Sequence, residues 1–168
     1  MLGLNGASIF DLIPHERPMR KTAPLTSFYT LGYQSHTFST MVKLLAGNRV
    51  SLLVDVRQNP VSRKKGFSKN QLEKTISTFG ITYLHCPELG TPPPIRKIYA
   101  TTGNVEKALL QFEKHLRARQ QILRALFQTF KSERFCLLCL EADHRSCHRG
   151  IIAQVLTEMT GCQAIHLH

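Results

Sequence analysis

Apolar positions recur along the chain with two different periods, and the change from one to the other marks out its elements. Residues 27–31 (SFYTL) predict a strand, and between residues 36 and 46 Phe38, Met41, Val42 and Leu45 share one helical face. Residues 50–56 (VSLLVDV) are almost continuously apolar with one acid near the end, the pattern of an interior strand of a parallel sheet covered on both faces. Ser68 is placed to cap a helix reaching Phe79, Gly80 stops it, and residues 81–85 (ITYLH) predict a third strand. The prolines at 92, 93 and 94 remove backbone donors and favour an extended loop, before a long helical pattern from about residue 105 to residue 130. Residues 134–140 (RFCLLCL) predict the fourth strand. Ser146 is placed to cap a helix over 147–159, Gly161 ends it, and residues 163–167 supply a short fifth strand. Strands alternating with helices predict an α/β fold, a single three-layer domain with a mostly parallel sheet of about five strands flanked by helices. There is no internal repeat.

A chain of 168 residues with 42% hydrophobic composition has room for one continuous core. That core is expected over residues 25–168. Residues 1–24, with Pro14, Pro18 and Pro24 and no sustained period, are expected to form an amino-terminal extension that is loose or laid over the domain. No apolar run reaches the length of about 18 residues needed to cross a bilayer, and no secretory block opens the chain, so a cytoplasmic protein without a membrane partner is expected. The five cysteines are an odd count, and reduced thiols are expected rather than a disulfide framework.

Charge changes the picture more. Against 11 Asp and Glu stand 22 Lys and Arg, a net charge of +11 that favours anionic partners such as nucleic acid, nucleotides or phosphorylated metabolites. The polar residues that core packing does not explain follow predicted strands, where open parallel sheets place their ligand crevice. They are Gly32 and Tyr33 after the first strand; Asp55, Arg57, Asn59, Ser62 and Arg63 after the second; Glu88 and Gly90 after the third; and Glu141, Asp143, Cys147, His148 and Arg149 after the fourth. Between Val56 and Leu72 lie Arg57, Arg63, Lys64, Lys65 and Lys69 with no acid and with Phe67 as the one aromatic. Such a segment suits a phosphate backbone, with Phe67 either stacking on a base, worth roughly 1–3 kcal/mol, or folded inward as an anchor.

The segment from Cys139 to Arg149 (CLEADHRSCHR) concentrates titratable groups in a loop and the first turn of a helix. Backbone N–H groups and the helix dipole there favour an anion or a thiolate, so Cys147 is either a reactive thiol or a small buried residue under the helix. Cys136 and Cys139 with Cys147 and His148 have ligand types for zinc, but residues three apart on a strand point to opposite faces, which argues against a shared ion. The spacing from Cys139 to Arg145 matches a cysteine phosphatase or rhodanese loop. This loop has no glycine, however, and carries Glu141 and Asp143, which repel phosphate.

Four segments, T-L-G-Y (30–33), L-V-D-V-R-x-N-P-x-S-R-x-x-G-F-S-K (53–69), E-L-G (88–90) and C-L-E-x(5)-C-H-R (139–149), make residues 28–168 resemble the domain of unknown function 488 family. The resemblance implies a compact α/β fold and a shared site of Tyr33, Asp55, Arg57, Arg63, Glu141, Cys147, His148 and Arg149, with Arg145 incidental to it; it supplies no reaction. The leading expectation is an enzyme acting on a nucleotide, nucleic acid or other phosphorylated substrate in a basic pocket. Tyr33, Arg57, Arg63, Phe67 and Arg149 would hold the substrate, and Glu141, His148, Cys147 and Asp55 would stand near the chemistry, Glu141 as general acid or base, with no metal or other cofactor. A non-catalytic nucleic-acid binding module and cysteine-dependent phosphatase or sulfur-transfer chemistry are the alternatives.

Overall fold

In the computed structural model, which describes residues 25–168, five strands form one sheet. They are β1 (Ser27–Gly32), β2 (Leu52–Asp55), β3 (Thr82–His85), β4 (Phe135–Cys139) and β5 (Gln163–Leu167). The expected extension over residues 1–24 lies outside the described residues. Every strand pairing is parallel and the order is β3-β2-β4-β1-β5, with β4 in the centre. Interior β2 and β4 are buried along their whole length, which is why their sequences read as unbroken apolar runs.

Two helices, α1 (Phe38–Gly47) and α2 (Lys69–Ser77), cover one face. On the other lie α3 (Pro93–Thr102), α4 (Val105–Arg117), α5 (Gln121–Phe130) and α6 (His148–Thr160). The period of two along β4 divides its side chains between two cores: Phe135, Leu137 and Cys139 pack with the α4–α6 layer, Cys136 and Leu138 with the α1–α2 layer. The three-layer α/β domain expected from the pattern is therefore present. The connection leaving β1 crosses to the α1 face and the one leaving β4 to the α6 face, so the adjoining carboxyl ends of these neighbouring strands splay apart, the position at which parallel sheets open a crevice.

Two expectations fail for physical reasons. The prolines at 92–94 do not make an extended loop; Pro92 is the N-cap of α3 and Pro93 and Pro94 open it, where a missing N–H costs nothing because the first turn has no intrahelical acceptor for it. The long helix expected over about 105–130 is two, because the chain turns through residues 118–120 while keeping helical dihedrals at Ala118 and Gln120, so the apolar period carries no mark of the break. The last helix begins one residue later than expected, with Cys147 as its N-cap and Ser146 closing a short 3-10 turn. Among the described residues no helix is long and apolar enough to cross a membrane.

Gly32, at the carboxyl end of β1, has ordinary extended dihedrals and is required for space rather than for conformation: a Cβ there would overlap the Glu141 carbonyl and meet Arg149 Nη1 at 2.9 Å. Gly150 in α6 is crowded in the same way by the His144 carbonyl. Gly32→Ala is expected to cost about 1–3 kcal/mol by forced repacking. Gly47→Ala, at the end of α1 with nothing within 4 Å of the new methyl group, is expected to stabilise by a few tenths to about 1 kcal/mol. Urea denaturation of the two variants checks both, and an unchanged midpoint for Gly32→Ala would contradict the close approach.

Candidate functional site

Asp55 ends β2 with 0% exposure, and a carboxylate so placed must be paired. Arg57, two residues on, returns over it: Nε donates to Oδ1 at 2.8 Å and Nη2 to Oδ2 at 2.5 Å, the bidentate geometry that suits a planar guanidinium. Nη1 donates to the Tyr33 phenolic oxygen and to the Phe67 carbonyl, each at 2.9 Å. Tyr83 on β3 donates its hydroxyl to Asp55 Oδ2 at 2.6 Å. Burial opposes the Arg57 charge, but Asp55 and Tyr33 more than offset it and the guanidinium is held above its ordinary range; burial and Asp55 likewise push the Tyr83 hydroxyl up. Phe67 is fully buried and stacks on Tyr33, centroids 4.4 Å apart, so of its two alternatives it takes the inward anchor.

A second cluster forms where α6 returns to the end of β4. The Cys139 and Cys147 thiols each lie 3.0 Å from Glu141 Oε2 as donors, and His148 Nδ1 stands 3.7 Å from Cys139 Sγ and 4.0 Å from Cys147 Sγ. His148 Nε2 lies 2.9 Å from the Val56 carbonyl, which can only accept, so Nε2 carries the proton. Burial works against the Glu141 charge, yet the two thiol hydrogen bonds win and its carboxyl is lowered. Burial pushes the Cys147 thiol well up, which gives no support to a free thiolate nucleophile. One donor atom from each of Cys139, Glu141, Cys147 and His148 lies within 4.8 Å of every other, so these four could hold a metal ion. Cys136 belongs to the opposite core and cannot join them.

Arg149 has 0% exposure and sits behind this cluster, donating from Nη1 and Nη2 to the carbonyls of Glu141 and Ala142. Its Nε has no partner among the described residues. Tyr33, Asp55, Arg57 and Phe67 thus form one buried knot, Glu141, Cys147 and His148 a second cluster, and Arg149 clamps the loop between strand and helix. The Val56 carbonyl joins knot to cluster. Arg63 is brought into neither and stays exposed on its loop with Lys65 and Lys69, while Lys64 turns inward to the carbonyls of Tyr33 and Gln34 at 3.1 and 2.7 Å.

Sequence reasoning weighs Cys139 and Cys147 together only in a zinc set that includes Cys136, which it argues against, and it misses an open groove of about 460 Å³ at the splayed ends of β1 and β4. Its walls carry Ser35, His36, Asp143, His144, Arg145 and His168. His144 stacks on His166 at 3.5 Å between centroids, and burial first, then His144, Arg149 and His168, lower His166 to about 4. His36 is lowered by burial and then by Lys64 and His168, and His144 by burial against the opposing pull of Asp143. The signal was present in the histidines at 144, 166 and 168, which fall together only once β5 lies beside β1.

The family model described as Domain of unknown function DUF488 matches residues 37–156. That stretch contains three of the four motif segments and leaves the one at 30–33 outside. No curated protein and no solved structure matches the chain.

Removing one member of a buried ion pair strands the other, so Asp55→Ala is expected to cost about 3–5 kcal/mol in chemical denaturation, and an effect below 1 kcal/mol would show that the knot is not the support described. The histidine stack sets a pH dependence. A histidine whose folded pKa lies below its ordinary 6.5 stabilises the fold above 6.5 and loses that contribution as pH falls towards about 4. His166→Gln is expected to flatten the loss of thermal stability across that window, measured as Tm against pH.

Proposed function

The chain belongs to the Domain of unknown function DUF488 family, and from that footing we propose that it is an enzyme acting on a nucleotide, nucleic acid or other phosphorylated substrate held at the carboxyl rim of its sheet. The observation that carries this reading is the groove between the ends of β1 and β4. Its titratable walls are His36, His144, Arg145 and His168 against a single carboxylate, Asp143, which is itself paired with Arg145 at 3.0 Å. An anion in the groove offsets part of the burial and repulsion that lower His36 and His144, so binding and proton uptake are coupled.

The loop that forms one wall also carries the chemistry. Ala142 and Asp143 line the groove, and Glu141, next in the chain, belongs to the cluster with Cys139, Cys147 and His148. In this reading the substrate extends from the groove along the loop towards Glu141, whose carboxylate serves as general base in its ionised form. Arg57 and Arg149, with their donors turned to Asp55, Tyr33 and backbone carbonyls, hold the strand ends and the loop behind the groove rather than grip the ligand. The exposed cations Arg63, Lys65 and Lys69 supply a second reading, a non-catalytic module that grips a nucleic-acid backbone.

A thermal-shift screen against nucleotides, sugar phosphates and short DNA and RNA oligomers at two salt concentrations separates the readings. The expected result is a Tm increase with a small phosphorylated ligand that is lost in Arg145→Ala, whose side chain is 81% exposed and whose removal leaves the core intact. A shift with oligomers alone that collapses with salt supports the binding module instead. Once a substrate is in hand, Glu141→Gln is expected to lower kcat by a factor of about 100 or more, and unchanged turnover would remove Glu141 from the chemistry.

A further inference from the structure

The geometry points to a zinc site formed by Cys139, Glu141, Cys147 and His148. It shares Glu141 with the substrate reading but does not rest on it, since a metal can be held there whatever the groove binds. Ligand atoms about 2.0–2.3 Å from zinc at tetrahedral angles lie about 3.3–3.8 Å from one another. Here the Cys139 sulfur is 3.7 Å and the Cys147 sulfur 4.0 Å from His148 Nδ1, and both sulfurs are 3.0 Å from Glu141 Oε2. These four separations lie within a few tenths of an ångström of the tetrahedral range, and all four donors lie within 4.8 Å of one another.

The surroundings fit a metal centre as well. His148 turns its Nε2–H to the Val56 carbonyl, which leaves Nδ1 without a proton and free to ligate; Cys139 Sγ stands beside the ring, 3.7 Å from Nδ1 and 4.0 Å from Nε2, so the imidazole turns on its Val56 anchor to bring the lone pair onto the ion. The ring is covered edge-on by Phe112 of α4 at 5.3 Å, and both cysteines are 2% exposed within the apolar core, so the site is dry on one side. Arg149 fixes the carbonyls of Glu141 and Ala142 and with them the loop that presents the carboxylate. Cys139 comes from the end of a strand, Cys147 and His148 from the start of a helix, and only Glu141 from a loop.

Charge balances in the exchange. With two thiols, a neutral imidazole and one carboxylate the group carries −1. Binding Zn²⁺ releases the two thiol protons to solvent, and the complex of one dication, two thiolates, one carboxylate and a neutral imidazole is again −1. No redox partner is needed. Two sulfurs and one imidazole select zinc over magnesium or calcium, which take oxygen donors. Glu141 and His148 are both partly buried beside two buried sulfurs, but His148 is anchored through Nε2 to the Val56 carbonyl, so the loop carboxylate of Glu141 is the ligand that water or a substrate can displace, and a displaced carboxylate is then free to take a proton.

The test uses the full chain, purified without chelator and analysed for metals by mass spectrometry. About one zinc per chain is expected, removed by a chelator with a fall in Tm that added zinc reverses. Cys139→Ser and Cys147→Ser are expected to reduce zinc content at least tenfold, while Cys136→Ala retains it. Because a serine variant can fail to fold, stripped wild-type protein is also loaded with cobalt(II), whose thiolate charge-transfer absorption and tetrahedral ligand-field bands report two sulfur ligands without any substitution. Wild-type protein that binds no zinc and gives no such bands overturns the site. Zinc that survives loss of both cysteines but is lost in His144→Ala/His168→Ala overturns it too, by moving the metal to the groove, and iron taken up in preference to zinc overturns the identity of the ion.

Discussion

The carboxylate of Asp55 is the constraint from which the carboxyl rim is built. It ends an interior strand out of reach of water, so strong donors must turn to it, and those donors come from Arg57 after β2 and Tyr83 on β3. Arg57 folds back over its own strand end and thereby fixes the start of the basic loop; its remaining donors reach across to Tyr33 after β1 and to the Phe67 carbonyl. Tyr83 adds β3. A permanent charge buried with its partner is weak evidence of stability in itself, because desolvation offsets the attraction, but it is intolerant of displacement and so fixes geometry.

That fixed geometry reaches the reactive cluster through one residue. Val56 lies between Asp55 and Arg57, and its carbonyl anchors the imidazole of His148. A shift of the β2 end would therefore rotate the ring that stands beside the two sulfurs. On the other side Arg149 holds the loop after β4 by its carbonyls, and Gly32 lets that loop lie against β1 without a side chain between. Neither arginine has to touch a ligand to be indispensable to the site.

The fold was legible because each layer writes its own period. Residues 163–167 are read to the residue as β5, and the α1–α2 and α4–α6 faces follow from apolar spacing alone. What was lost depended on position rather than on residue type. Proline reads as a breaker, yet at the start of α3 it is well placed; a turn that keeps helical dihedrals leaves the period unbroken between α4 and α5. The site was legible as a set of strand ends and not as a set of directions. Arg57 and Arg149 were rightly placed on the rim, but nothing in one dimension says that their donors turn inward. Cys139 belongs with Cys147 only because α6 returns over the end of β4, whereas the nearer Cys136, three residues away in sequence, faces the other core.

The inward turn of Arg149 has a consequence for the groove outside. A guanidinium with 0% exposure keeps its charge, since arginine does not give up its proton, and the carbonyls of Glu141 and Ala142 compensate it only as dipoles. Its field extends to His144 and His166 and helps to hold both rings uncharged. These two rings are thus set against a fixed positive charge beneath them, in addition to the burial that lowers both. The residue that fixes the loop thereby also helps to keep the rings beside the groove neutral, so one side chain couples the geometry of the loop to its electrostatics.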